Sequence, residues 1–572
     1  MKAIKVPLAC LLLTGVMLGQ VSTGASDPPG NDTSLAAEVQ ALREALSQTQ
    51  KQLVAQQQEI ESLKAQSTAS ATSTPSDDAA STQIDSRARA LASSRIEPGY
   101  TYPKSHGYKQ ASAQGGLQTG PTEKPPTGRF KFDNSILEIG GFVDLENIFR
   151  TTNTGGNIAT PFGSIPYSNT PQGNVTEWRT TAQFSRFDVT FAGNFEGNQI
   201  TAYLETDFSG NDAPSVYQSV NNHTQRLRLY FVNARRGKWE MVAGQTWSWL
   251  TPNRKGDGPM PVDLALTYNE DQNLGIGVPY TRAAELRVSY HPNEHWALGV
   301  GIEDPNQYIG NYVALPAAFK SVGNQLDNNN NLGAANLMPD ILSKLTYDKD
   351  FSSHHFHAEL AGLLTGTHVT AMPAGSDFYK THTVIGGGGS IAANYELFPK
   401  FVLLANAFWS DGGAHYFVAT GPQLVVRPNP AGTDISLSMV HAGAGSVGAE
   451  WRVSPKQALA AYFGADYFGR NFFPDTTNTV NPGTIIGYGG SGSPNTNNRA
   501  IKQATVDWIN TFWKNPRHGA LQFYTQYSYL TRAPWYVAPG TPKNAHLSMV
   551  YAGVRYVLPT TSGTLHLVPR PD

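Results

Sequence analysis

Beyond Phe130 apolar and polar residues alternate with a period of two, in segments of about ten residues, the length and pattern of a tilted strand crossing a bilayer. Within 199–210, Ile200, Ala202, Leu204, Thr206 and Phe208 share one face, and Thr201, Tyr203, Glu205 and Asp207 share the other. The same reading fits 225–234, with Leu227, Leu229 and Phe231 set against Arg226, Arg228 and Tyr230. It also fits 296–303, 521–529 and a last strand at 546–558. One face suits hydrocarbon and the other water, which predicts an all-β, transmembrane antiparallel barrel.

Connections between these segments alternate in length. Tight turns are expected at Glu196-Gly197-Asn198, Arg235-Arg236-Gly237-Lys238, His291-Pro292-Asn293-Glu294, Phe398-Pro399-Lys400, Ser454-Pro455-Lys456 and Asn515-Pro516-Arg517. Between them lie long stretches rich in Gly, Asn, Pro and Thr, at 151–180, 248–281, 306–338, 411–437 and 470–499. Short turns on one side and long loops on the other are the habit of single-chain outer-membrane barrels, and the segments number about sixteen, in the size range of water-filled porins. Trp239, Trp247, Trp296, Tyr347, Tyr395, Trp409, Trp451, Trp508 and Trp513 lie near segment ends, where aromatic girdles form at the two membrane interfaces.

The N-terminal quarter follows other rules. Lys2 and Lys5 precede an apolar run from Val6 to Leu18 and small residues at Thr23-Gly24-Ala25, the layout of a signal peptide at 1–25. Residues 26–66 carry a heptad with Val39, Leu46, Leu53 and Ile60 on one seam position and Leu35, Leu42, Thr49, Gln56 and Leu63 on the other. About four heptads are too short for a stable isolated helix, so Val39, Leu42, Leu46, Leu53, Ile60 and Leu63 are expected to pack against copies of themselves. A single amphipathic helix lying on another surface is the alternative. Residues 67–131, rich in Ser, Thr, Pro and Gly without period, read as a linker, 132–559 as the barrel and 560–572 as a C-terminal extension.

Composition narrows the picture. Charged residues are 15% of the chain, hydrophobic ones 40%, and outside the first twenty-odd residues no run approaches the length of an apolar spanning helix. The formal charge of -2 gives no footing for nucleic acid. Cys10, the one cysteine, sits inside the signal run, so an exported chain draws its stability from something other than disulfides.

Candidate chemistry concentrates in the wall and one loop. By strand parity Arg186, Arg226, Arg228, Arg287, Glu205 and Asp207 face the lumen. They read either as a basic ladder that attracts carboxylates or as a wall in which Arg226 and Arg228 pair with Glu205 and Asp207 on the next strand. The loop 248–281 follows the fifth strand, where porins of this size commonly fold a loop inward, and it carries Arg254, Lys255, Asp257, Asp263, Glu270 and Asp271. Mixed charge in a narrow tube sets the electrostatic barrier to solutes, whereas on the surface it is a solvated loop. His355, His357 and Glu359 alternate on one strand face, about seven ångströms apart, and read as a hydrated wall patch, since no fourth metal ligand is evident. Gly487, Gly489 and Gly492 match a dinucleotide fingerprint by letter alone, with no helix after them, and Gly386 to Gly389 read as a strand of small side chains where backbone or loops approach. No nucleophile elbow or zinc-protease motif appears, so neither enzyme activity nor a cofactor or metal is expected.

At these segments the chain resembles the DcaP-like family of trimeric outer-membrane porins. The resemblance rests on Gly140-Gly141-Phe142-Val143-Asp144, Ser185-Arg186-Phe187, Glu205-Thr206-Asp207-Phe208, Leu227-Arg228-Leu229 and Val242-Ala243-Gly244-Gln245-Thr246-Trp247-Ser248 in the first five strands, with Gly553 to Pro559 at the end. It implies a homotrimer in the bacterial outer membrane, an N-terminal coiled coil in the periplasm, and diffusion of small hydrophilic solutes, organic anions such as dicarboxylates among them. A departure is the tail: Thr560 to Asp572 follow Pro559, where outer-membrane barrels commonly end at an aromatic residue. A plugged barrel acting as a structural or adhesive surface protein is the competing reading.

Overall fold

Strand-forming alternation runs through nearly the whole described chain. In the computed structural model the described residues are 128–562, apart from 133, 157, 211–222, 266–267, 272, 329–333, 352–353 and 418–419. The signal peptide, the coiled coil with Val39, Leu42, Leu46, Leu53, Ile60 and Leu63, the linker up to 127 and the tail 563–572 lie outside the described residues.

Among the described residues sixteen antiparallel wall strands close on themselves. The first is Ser135–Arg150. The second is interrupted: Arg186–Phe195 pairs with residues 135–142 of the first strand and Glu177–Thr181 with residues 146–150. The wall continues through Asn198–Asp207, Arg226–Arg236, Trp239–Trp247, Arg282–Tyr290, Trp296–Glu303 and Asp340–Phe351. His354–Ala371, Lys380–Phe398, Phe401–Asp411, His441–Ser454, Gln457–Phe468, Asn498–Asn515, Gly519–Pro534 and Ala545–Val557 complete it. Residues 142–150 of the first strand pair with the last strand and seal the ring. The remaining edge at 135–138 is covered by Arg129–Phe132, which folds back in a hairpin. This strand takes up residues 129–131, where the linker was expected to run, because Arg-Phe-Lys-Phe already alternates like the wall.

The outer face is apolar. Val143, Leu204, Val232, Met241, Val300, Ile302, Leu360, Ile391, Val447 and Val506 are all exposed, while Tyr203, Glu205 and Asp207 point inward and are buried. Among the described residues no helix is long and apolar enough to cross a membrane. Residues at the tight-turn end stack around the wall, Trp239 on Tyr290 at 4.9 Å, Trp296 on Tyr347 at 4.6 Å, then Phe356 and Tyr395 at 6.4 Å. Trp247 does not join such a girdle. It is buried in the interior against Tyr280 at 5.7 Å, because the loop that follows it turns inward.

One predicted face is corrected. Opposite Glu205 and Thr206 the fourth strand carries a β-bulge at Arg228, since Glu205 pairs with Leu229 and Thr206 with Leu227. One extra residue inverts the side-chain parity that follows it. Leu227 is therefore 45% exposed on the outside, whereas Leu229 is 0% and Phe231 4% exposed on the inside.

Tight turns sit where the sequence places them. Glu196 and Gly197 both adopt positive φ, 52° and 82°, the geometry that a two-residue hairpin needs to match strand twist. The long connections are not bare loops. Leu424–Pro428 pairs with Ile435–Met439, and Asn471–Pro474 with Ile485–Tyr488. These hairpins lock onto the connection after the seventh strand, through mutual backbone hydrogen bonds between Ala314 and Gly487 and from the Tyr308 N–H to Gln423 at 3.2 Å. Together they cover the long-loop end of the barrel.

Candidate functional site in the barrel lumen

The loop 248–281 lies inside the ring and touches every wall strand from the seventh to the sixteenth. Its first turn gives the Trp249 N–H to Glu303 at 2.8 Å. Asn253 then receives Lys344 on its side chain at 2.7 Å, donates its N–H to Glu359 at 3.2 Å, and accepts from Asn394 on its carbonyl at 3.1 Å. Arg254 holds Glu450 with two nitrogens, at 2.5 and 2.6 Å. Further along, the Glu270 N–H reaches Gln526 at 2.6 Å while its carboxylate meets Arg555 at 2.7 Å, and Asp271 accepts from Tyr551 at 2.6 Å. Ile276 donates to Gln503, Gly277 donates to Asp466, and the Gly277 carbonyl accepts from Asn406.

Close approach of this loop depends on small wall residues. A Cβ at Gly464 would lie 1.7 Å from the Ile276 carbonyl oxygen, and one at Gly277 would lie 2.1 Å from that of Gly445. The glycines at 386–388 instead admit neighbouring strands, Gly386 being limited by the Asp411 carbonyl. Tyr268, Leu264, Val278 and Tyr280 of the loop pack with the inward residues Leu229, Phe231, Leu404, Tyr462 and Tyr524 into one buried cluster. The lumen-facing wall is thus buried and largely filled on this level.

The other predicted loop residues divide. Asp257 is buried near the tight-turn end, its carbonyl accepting from the Trp249 ring N–H at 3.3 Å. Lys255 is half-buried, and the Asp263 carbonyl accepts the Arg254 N–H.

The wall arginines are paired. Arg226 holds Asp207 with Nε and Nη2, at 3.0 and 2.7 Å, and Arg228 bridges Glu205 at 2.7 Å and Asp207 at 2.8 Å. Arg186 stands 3.6 Å from Glu205 and lies over the Phe142 ring. Arg287, on the other side of the loop, is 3.3 Å from Glu285 and stacks over Trp249. Arg282, which the sequence reading did not single out, interacts electrostatically with Arg226 and Arg228. Its Nη1 is buried with no hydrogen-bond partner, and among the described residues it makes no ion pair. Strand parity would have set it outward beside Ala284 and Leu286, so the pattern gave no signal for it. Four guanidinium groups, Arg186, Arg226, Arg228 and Arg282, thus gather near Asp188, Glu205 and Asp207, leaving an excess of positive charge.

An acidic sector lies beside it, Arg186 and Arg555 sharing the Phe142 ring. Asp144 accepts from Arg555 and Tyr524, at 2.7 and 2.9 Å, while both carboxylate oxygens of buried Glu146 and of Asp507 lack hydrogen-bond partners. These residues were also missed, although each is a charged residue at an inward position of an otherwise alternating strand. His355 and His357 belong to an ion-pair network. His357 stands 2.9 Å from Asp348 and 3.1 Å from Glu359, and Glu359 is 3.0 Å from Lys344.

Searches against family models and curated proteins return no match. Among solved structures, the chain is similar in fold to the outer-membrane channel DcaP of Acinetobacter baumannii, with 16% identity, a TM-score of 0.50, and coverage of 75% of this chain and 99% of that one. The anion-selective porin from Comamonas acidovorans matches at 11% identity and a TM-score of 0.40, over 74% and 99% of the two chains.

Proposed function

We propose that this chain is a bacterial outer-membrane porin through which small hydrophilic solutes diffuse passively, with a preference for organic anions such as dicarboxylates. The observation that carries the reading is the combination of a closed sixteen-strand wall, apolar outside and charged inside, with a long loop after the fifth strand folded into its lumen. In this reading Arg254, Lys255, Asp257 and Asp263 belong to the constriction. Arg186, Arg226, Arg228 and Arg287, with Glu205 and Asp207, line the path, and the arginine excess sets a potential that favours anions. The protein works as a homotrimer in the outer membrane, with its N-terminal coiled coil in the periplasm. The similarity in fold to DcaP supports the barrel itself.

Reconstitution into planar bilayers tests the function. Stepwise conductance in triplets, small for a barrel of this size because the loop fills so much of it, is the expected result. One observation favours a second reading, a plugged surface protein: the inward wall residues are buried on every strand the loop touches. That reading predicts no steps and no permeability of proteoliposomes to small sugars or dicarboxylates.

A further inference from the structure

Loop 248–281 meets the wall at one place through side chains whose chemistry is that of metal ligands. Glu240 is the second residue of the fifth strand, His291 begins the tight turn after the sixth, and Asp257 comes from the loop. One oxygen of each carboxylate and one imidazole nitrogen lie within 4.8 Å of one another. His291 Nε2 is 3.0 Å from Glu240 Oε2 and 3.9 Å from Asp257 Oδ1. The side chains are 5%, 5% and 12% exposed for Glu240, Asp257 and His291.

Two features separate this arrangement from a plain ion pair. Nε2 stands close to both carboxylates at once, within hydrogen-bonding reach of the Glu240 oxygen and less than an ångström further from that of Asp257. Its distances to them straddle the edge of about 3.3 Å that separates ligand atoms around a tetrahedral zinc ion. The Asn233 amide also donates to the other Glu240 oxygen at 2.6 Å, which fixes the carboxylate as an outer-shell partner fixes a ligand. The positive charge facing the cluster is Arg235, 3.7 Å from Glu240 Oε2, and it leaves the two carboxylates in excess.

We propose that Glu240, Asp257 and His291 form a binding site for a divalent transition-metal ion, zinc suiting one imidazole and two carboxylates, which staples the inward loop to the wall at the tight-turn end of the barrel. Three protein ligands leave a fourth position for water. The site holds the loop and performs no chemistry.

The test uses full-length, untagged protein, stripped with EDTA and titrated with zinc by calorimetry. One saturable site per chain is expected, weakened about tenfold or more by Asp257→Asn and by His291→Ala. His546→Ala, near the start of the last strand and bonded to Tyr529, leaves it unchanged. Equal affinity in wild type and His291→Ala, or no saturable site in the wild type, overturns the proposal. A second readout needs no variant: zinc protects His291 of the wild type from carbethoxylation, read by peptide mass spectrometry, and calcium does not. An unaltered modification rate in zinc also overturns it. Neither readout depends on conductance, so the metal site and the channel stand or fall separately.

Discussion

Single side chains decide how the loop sits. Gly464 has room for a hydrogen and nothing more, so Gly464→Ala drives the Ile276 carbonyl off the wall; a larger unit conductance in bilayers is the expected outcome, and an unchanged one would show that the loop does not narrow the path. Arg254→Ala strands Glu450 in the interior, and breaking such a buried pair costs about 3 kcal/mol, or two orders of magnitude in the loop's opening equilibrium, measurable by hydrogen exchange. Among the arginines, those already spent on carboxylates should matter least to passing anions. Arg282→Ala is expected to lower the anion-to-cation permeability ratio, read from reversal potentials, more than Arg226→Ala does, because Arg226 is held by both oxygens of Asp207. The equal weight that sequence reading gives to ladder and paired wall reflects a real limit: register is what pairs Arg226 with Asp207, and composition carries no register.

At the scale of elements, strands and tight turns were legible because their signals are local. Alternation in 199–208 and Glu196-Gly197 at the turn need no partner to be recognised. The bulge at Arg228 was not legible, since Arg-Leu-Arg-Leu-Tyr-Phe alternates without a break and the extra residue exists only relative to the third strand. The fate of loop 248–281 was half legible: its charges announced it, but Glu450, Asp466 and Gln503, which receive it, lie two hundred residues or so further on. The loop also gives a pH dependence. Burial raises the Glu270 carboxyl above its ordinary range, Arg555 opposes that rise and Asp144 adds to it. The folded protein therefore holds this proton more tightly than the unfolded chain does, so the group's contribution is largest at pH below 4.5 and is lost as pH rises through the folded value. Relative to Glu270→Gln, the wild type should gain in its heat-modifiability midpoint as pH falls from neutrality, and a gap independent of pH would contradict this.

For the whole molecule, the outer belt and the inner charges were readable together, since a chain without a spanning helix must cross lipid with a closed sheet if it crosses at all. How tightly the two ends of that sheet are joined was not. The first strand is sixteen residues long, yet the last one covers only residues 142–150 of it, and Arg129–Phe132 doubles back over the part left bare. Assembly therefore has a late step built into it: until the final thirteen-residue strand Ala545–Val557 arrives, the ribbon has two raw margins that can zip onto any neighbouring chain. The returning hairpin keeps one margin partly bandaged, so that only a short, defined stretch is left to meet its mate.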